Sequence, residues 1–382
     1  MTYLIVFIFL VYCVWQVDIH GHKKYAKLYY LILFIAFTLI AGLRYKIGGD
    51  TINYMSNWNL YPNFESNSII DDIEKAQLTG GFIRYQPGWI LYCMIIKTIF
   101  GSYYVCQLIT SLILNLGIFH CVRKYSRQPF IVLLYFYVSF NFIQLEFETA
   151  REAVATGLFL LFAFDNWIKR KWFLYYIGTL LAFSIHISAL VMFILPLLRN
   201  TSSWSTKVFI FYGIIPVLVI SIAGRIILSD FLIQLANVNS AFQTYEGRVL
   251  EDNYNSNYII SALFTPTIIN SMVVLWRKYM VNELIPLVFL TAAMIIGTIF
   301  DFDCIRFSNY ILIPTFISLA PAIQSLIKRQ HTVWFGIVLM YLFSLPQYYV
   351  VYSGGDLSWS RYFPYQNCIA PNQTPNQKKY WN

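Results

Sequence analysis

Charge is what this sequence has least of. Lys, Arg, Asp and Glu make up 12% of its 382 residues, about half the share of an ordinary soluble domain, while 58% of the chain is apolar. That deficit excludes a soluble globular enzyme, and it excludes disordered and nucleic-acid-binding chains as well. Cysteine is sparse and unpatterned: Cys13, Cys93, Cys106, Cys121, Cys304 and Cys368 fall singly, with no CxxC pair, so neither a disulfide framework nor a metal site follows from them. There is no HExxH, Walker loop, GxSxG or GxGxxG, which leaves metalloprotease, ATPase, serine hydrolase and nicotinamide chemistry unsupported. No internal repeat is present. No basic residue precedes the first apolar run, Tyr3–Val17, whereas Lys23, Lys24 and Lys27 follow it. This polarity is opposite to that of a cleavable signal, and it predicts a retained first helix with its N-terminus outside.

What fills the chain instead is a series of apolar runs separated by short charged clusters, with a mean hydropathy of +0.57. A helix needs about 20 apolar residues to cross a bilayer. On that scale the sequence predicts spans near Tyr3–Val17, Leu28–Leu43, Tyr104–Val122, Pro129–Leu145, Ala153–Ile168, Val208–Leu228, Tyr258–Trp276, Leu284–Phe300, Phe307–Ile327 and Thr332–Val350. Gly88–Phe100 is short and carries Lys97, as an interfacial or re-entrant helix does. Trp172–Leu198 is too long for one span and is interrupted by Ser184, His186 and Ser188, which predicts two short helices meeting at His186. With that break, most Lys and Arg residues fall on one side, as the positive-inside rule requires. The expected fold class is therefore all-α: a polytopic, multi-pass integral membrane protein of about 12 helices (10–13), which the family resemblance described below places in a bacterial cytoplasmic membrane. Residues 1–350 would form its membrane domain, with outer loops 44–87 and 229–257 and an outer-face tail over 351–382.

The charged residues that remain gather where helices should meet the outer surface: Arg44, Asp50, Arg84, Glu146, Glu148, Arg151, Glu152, His186, Asp301, Asp303 and Arg306. Singly, each is explained as a snorkelling anchor or an interhelical ion pair. Together they predict a polar cleft open to the outside, because burying such groups is costly unless they pair or bind something. Arginine forks suit phosphate oxygens, which makes Arg44, Arg151 and Arg306 candidates for a lipid pyrophosphate. Their competing role is pairing with Asp50, Glu148 and Asp303 respectively. His186 has the ordinary pKa for proton transfer near neutrality, and Asp50, Glu148, Asp301 and Asp303 compete with it as general base.

Gly42-Leu43-Arg44-Tyr45 followed by Gly48-Gly49-Asp50 and Tyr54, then Gln86-Pro87-Gly88, Arg151 opening a helix, His186-Ile187-Ser188-Ala189, and Arg306-Phe307 with Tyr310 resemble the EpsG family of exopolysaccharide proteins, itself similar in outline to Wzy-type O-antigen polymerases. The resemblance covers roughly residues 28–330; Gln86 departs from the family's usual Glu, and the tail has no counterpart in the pattern. It implies a membrane glycosyltransferase that joins oligosaccharide repeat units carried on undecaprenyl pyrophosphate at the outer face, by inverting glycosyl transfer. Arg44, Arg151 and Arg306 would bind pyrophosphate, and His186, Asp50 and Asp303 would serve catalysis, with no cofactor and no resident metal. A flippase and a chain-length regulator are the implied partners, beside the bilayer. Alternative readings are a flippase for the same lipid-linked oligosaccharide, a glycosyltransferase using polyprenyl monophosphate donors, and a membrane acyltransferase.

Overall fold

The computed structural model describes residues 2–63, 69–79, 85–203, 276–297, 304–329 and 359–381. The spans expected at Val208–Leu228, Tyr258–Trp276 (apart from Trp276 itself) and Thr332–Val350 lie outside them, as do loop 229–257, Arg84, Asp301 and Asp303.

Among the described residues the chain is helical, with no strand. The helices are α1 (Thr2–Ile19), α2 (Ala26–Gly42), α3 (Thr51–Asn57), α4 (Ile69–Thr79), α5 (Pro87–Phe100), α6 (Tyr103–Tyr125), α7 (Pro129–Val138), α8 (Asn141–Glu148), α9 (150–168), α10 (Trp172–Ile185), α11 (Ile187–Ser203), α12 (Ile285–Gly297), α13 (Cys304–Lys328) and α14 (Pro375–Trp381). Prolines open α5 and α7, and Gly101 at φ +68° closes α5, each residue placed where its backbone limits help. Among the described residues three helices are long and apolar enough to cross a membrane: α1, α6 and the Arg306–Lys328 part of α13. The bent pair α7–α8 makes a fourth if taken as one span. The expected count of about twelve goes beyond what these helices provide.

Helix α13 is the axis of the bundle. Its apolar window is 78% buried, against 33% for α1, and it packs on α6, α7, α11 and α12. Two internal prolines, Pro314 and Pro321, remove backbone donors from it, which a helix tolerates when neighbours surround it. Between them, the Thr315 hydroxyl meets that of Thr291 on α12 at 2.7 Å. Helices α6 and α9 touch backbone to backbone, since a Cβ on Gly117 would lie 2.6 Å from the Gly157 carbonyl oxygen. Such small-residue crossings hold helices together where lipid removes the hydrophobic drive between them. The outer helices leave Leu4, Ile5, Leu28, Leu31, Phe173 and Leu180 exposed, as a lipid-facing surface requires.

Two helix breaks shape the site. The first is at His186, where the sequence predicts it: α10 stops at Ile185, His186 is extended (φ −145°, ψ 131°), and α11 starts as a 3-10 helix. The second departs from expectation. Instead of one span over Pro129–Leu145, the chain turns by 82° between α7 and α8. Ser139 is extended there, with its hydroxyl donating to the Phe136 carbonyl at 2.7 Å, a local bond that competes with helix continuation.

The breaks and helix ends sort the polar groups to two ends of the bundle. At one end, Asp18 accepts the Ile131 amide at 2.7 Å, Asp165 pairs with Lys124 and Lys169, and Arg199 lies 3.4 Å from Glu283. At the other end lie Tyr3, the turn at Gly48, Glu148, Arg151, His186 and Arg306. The C-terminal segment returns to this second end: the Tyr45 amide donates to the Gln366 carbonyl at 3.0 Å and the Cys368 amide to that of Leu43 at 2.8 Å.

Candidate functional site

The junction of α8 and α9 distributes four ionisable side chains in different directions. The last turn of α8, Gln144–Glu148, is π-helical, and Thr149 then leaves the helix, its amide and hydroxyl both donating to the Gln144 carbonyl at 2.9 and 3.1 Å. Wide turns of this kind recur at functional sites because they re-aim side chains. Glu146 is turned into the bundle, where Ser111 donates to it at 3.3 Å. Glu148 meets the first loop, while Arg151 and Glu152 begin α9.

That first loop is held by glycine geometry. Gly48 has φ +99°, and a Cβ there would stand 1.8 Å from the Phe147 carbonyl oxygen, so no larger residue fits. Beside it the Gly49 amide donates to Glu148 Oε1 at 3.3 Å, and the Tyr362 hydroxyl donates to the same oxygen. The Gly48 amide donates to the Arg361 carbonyl at 3.1 Å, which fixes the tail on the turn. A few residues on, Tyr54 in α3 and Arg151 act on one another electrostatically. Burial pushes the Tyr54 phenol up to about 12 against the lowering influence of Arg151, so it is a neutral partner at physiological pH. The guanidinium also stacks on Tyr85, 4.1 Å from the ring centre, and makes no ion pair with a described carboxylate, Glu148 included.

His186 occupies the break opposite. Its Nδ1 accepts the Ser188 amide at 3.2 Å and lies 2.6 Å from the Ser188 hydroxyl, which in turn meets Tyr310 Oη at 2.8 Å. Arg151 and Arg306 are the charges that act on the imidazole. A Cβ on Gly88 would be 2.6 Å from the Ser184 carbonyl oxygen, so the start of α5 presses directly on this break. The N-terminal ends of α5, α9 and α13 thus meet around His186, and their backbone dipoles add to the positive field of the two arginines. Beneath them a buried network holds the helices in register: Asn309 donates to Glu152 Oε1 at 2.8 Å, and Asn141 donates to Asn309 Oδ1.

The structure therefore brings Arg151, His186 and Arg306 together, and it does not bring Arg44 to them. Arg44 is buried, donating to the Ala41 and Ile47 carbonyls at 2.6 and 3.2 Å, with Phe147 beside it. It closes the end of α2 and makes no ion pair with Asp50. Asp50 precedes α3 and acts electrostatically on Tyr54. A small cavity beside Arg44 is lined also by Tyr54, Tyr61, Trp89, Tyr103 and Gln107. Among the described residues no three His, Cys, Asp or Glu side chains gather as a metal site would need. The expected catalytic Asp303 lies outside those residues. Tyr85, Arg361 and Tyr362 were not anticipated, since their roles depend on where distant segments return.

The EpsG family model matches residues 27–367. The chain belongs to the EpsG family. The match extends past residue 330 and takes in Arg361 and Tyr362, so the tail as far as residue 367 is part of the EpsG pattern, which corrects the expectation that it has no counterpart there. No curated protein and no solved structure matches the chain. EpsG membership, together with the apolar helices, makes this a bacterial membrane protein of exopolysaccharide biosynthesis.

Proposed function

We propose that this EpsG protein is a polysaccharide polymerase of the cytoplasmic membrane. It joins oligosaccharide repeat units carried on undecaprenyl pyrophosphate, with its site on the outer face and about twelve spans in all. The observation that carries this is the meeting of Arg151, Arg306 and His186 at three helix N-termini. Positive charge gathered at helix N-termini inside a membrane protein is costly, and a doubly charged phosphate ester bound there offsets the cost. In the reaction a sugar hydroxyl of one unit attacks the anomeric carbon of another chain, the bond to pyrophosphate breaks, and the lipid pyrophosphate leaves with the electron pair. The arginines stabilise the charge that develops on the departing oxygen, a contribution of about 3–4 kcal/mol per well-placed donor in other enzymes. Tyr54 and Tyr85 hold Arg151 in place without neutralising it. Sidedness follows from the positive-inside rule: the Lys124, Lys169 and Arg199 end faces the cytoplasm.

The test is to extract lipid-linked sugars from cells carrying the wild-type or the deleted gene and to resolve glycan length and membrane side. Single repeat units accumulating at the outer face are expected on deletion. Units trapped at the inner face would mean transport, and unchanged chain length would overturn both readings.

A further inference from the structure

The reaction proposed above needs a base for the attacking hydroxyl, and His186 is the wrong tautomer for that work. Its Nδ1 accepts a backbone amide, so in the neutral ring Nδ1 carries the lone pair and Nε2 carries the proton. The Ser188 hydroxyl donates to Nδ1 in the same arrangement and accepts from Tyr310. The neutral ring is therefore an N–H donor at Nε2, with Arg151 and Arg306 acting on it.

A carboxylate, Glu148, shortly precedes Arg151 in the chain. Glu148 Oε1 is held by the Gly49 amide and the Tyr362 hydroxyl. Oε2 has no hydrogen-bond partner among the described residues, and the side chain is only half-buried. The other two carboxylates of this junction, Glu146 and Glu152, are buried in the bundle at 3% and 0% exposure and cannot reach a sugar. Gly49 donates to Glu148, and Tyr54, a few residues on in the same loop and helix, acts on Arg151, so one segment of chain links the carboxylate to the arginine.

We infer, resting on the polymerase reading, that Glu148 is the general base: its Oε2 takes the proton of the acceptor sugar hydroxyl while that oxygen bonds to the anomeric carbon and the pyrophosphate oxygen departs. His186 donates its Nε2–H to the pyrophosphate, and Tyr362, brought back by the tail, is a positioning residue that aims Glu148.

The experiment uses membranes of cells expressing full-length variants, with lipid-linked repeat units extracted from a deletion strain as substrate, and measures the initial rate of chain growth. Glu148→Gln keeps shape and hydrogen bonds but cannot take a proton, and slows the rate by about 100-fold or more. His186→Gln supplies an amide N–H in place of Nε2–H and stays within about tenfold of wild type. Tyr362→Phe lowers kcat by about tenfold with KM unchanged. Protein amount and dispersity are matched by size-exclusion chromatography. Wild-type elongation with Glu148→Gln equally active would overturn this assignment alone, as would a His186→Gln variant as inactive as Glu148→Gln. Absence of elongation by the wild-type protein would overturn the polymerase reading and this inference together.

Discussion

The two ends of the bundle use the same side-chain types in opposite ways. At the Asp165 end, exposed lysines and a buried arginine meet opposite charges: Lys124 and Lys169 share Asp165, and Arg199 faces the exposed Glu283, while buried Asp18 accepts a backbone amide. At the His186 end, Arg44 and Arg151 are satisfied by carbonyls and aromatic rings instead of carboxylates. A surface ion pair in high dielectric contributes little and tolerates loss. A buried guanidinium held by neutral partners keeps its whole field, which is useful only if a ligand brings the countercharge. On the polymerase reading, the difference marks the His186 end as the one that receives an anion.

That comparison is broken most severely by removing the field. Arg151→Ala and Arg306→Ala are expected to reduce chain growth by at least about 100-fold each, while the protein still inserts and purifies in normal amount; polymer length on a gel checks this, and near-normal chains would erase the distinction between the ends. Gly48→Ala is next: the Cβ collides with the Phe147 carbonyl in a left-handed backbone, for a loss of about 2 kcal/mol or more, read as a lower unfolding temperature in detergent and as release of the tail to protease. Asn309→Leu removes a donor from buried Glu152 and is expected to cost about 1–3 kcal/mol, seen in thermal unfolding with little change in chain length in the surviving protein. The smallest effect belongs to the opposite end. Lys169→Ala deletes an exposed partner of Asp165 while Lys124 remains, and unfolding temperature and polymer length should both stay at wild-type values.

Local patterns carried far into this structure. The polar interruption at His186 marks a real break, and the brevity of the Gly88–Phe100 run is real, since α5 spans Pro87–Phe100. Arg151 and Arg306 were legible as arginines opening apolar helices, and they do meet His186. Arg44 looks the same in sequence, yet the return of the tail near Gln366 and Cys368 packs its turn shut. No local pattern announces a contact between segments so far apart. The kink at Ser139 was hidden for another reason: the run from Pro129 to Leu145 is apolar enough for one span, and a single serine bonding to its own backbone redirects it. Glu148 was visible only as one acid among several, because what distinguishes it is Tyr362, contributed from the other end of the chain.

The central claim is that the His186 end is a pyrophosphate site, and binding tests it without the complications of turnover. The protein reconstituted in nanodiscs would be titrated with undecaprenyl pyrophosphate and undecaprenyl monophosphate, for wild type and for Arg151→Ala and Arg306→Ala. The account predicts tighter binding of the pyrophosphate lipid by wild type, and a loss of at least about tenfold, or 1.4 kcal/mol, in either variant. Equal affinity in all three proteins would contradict it.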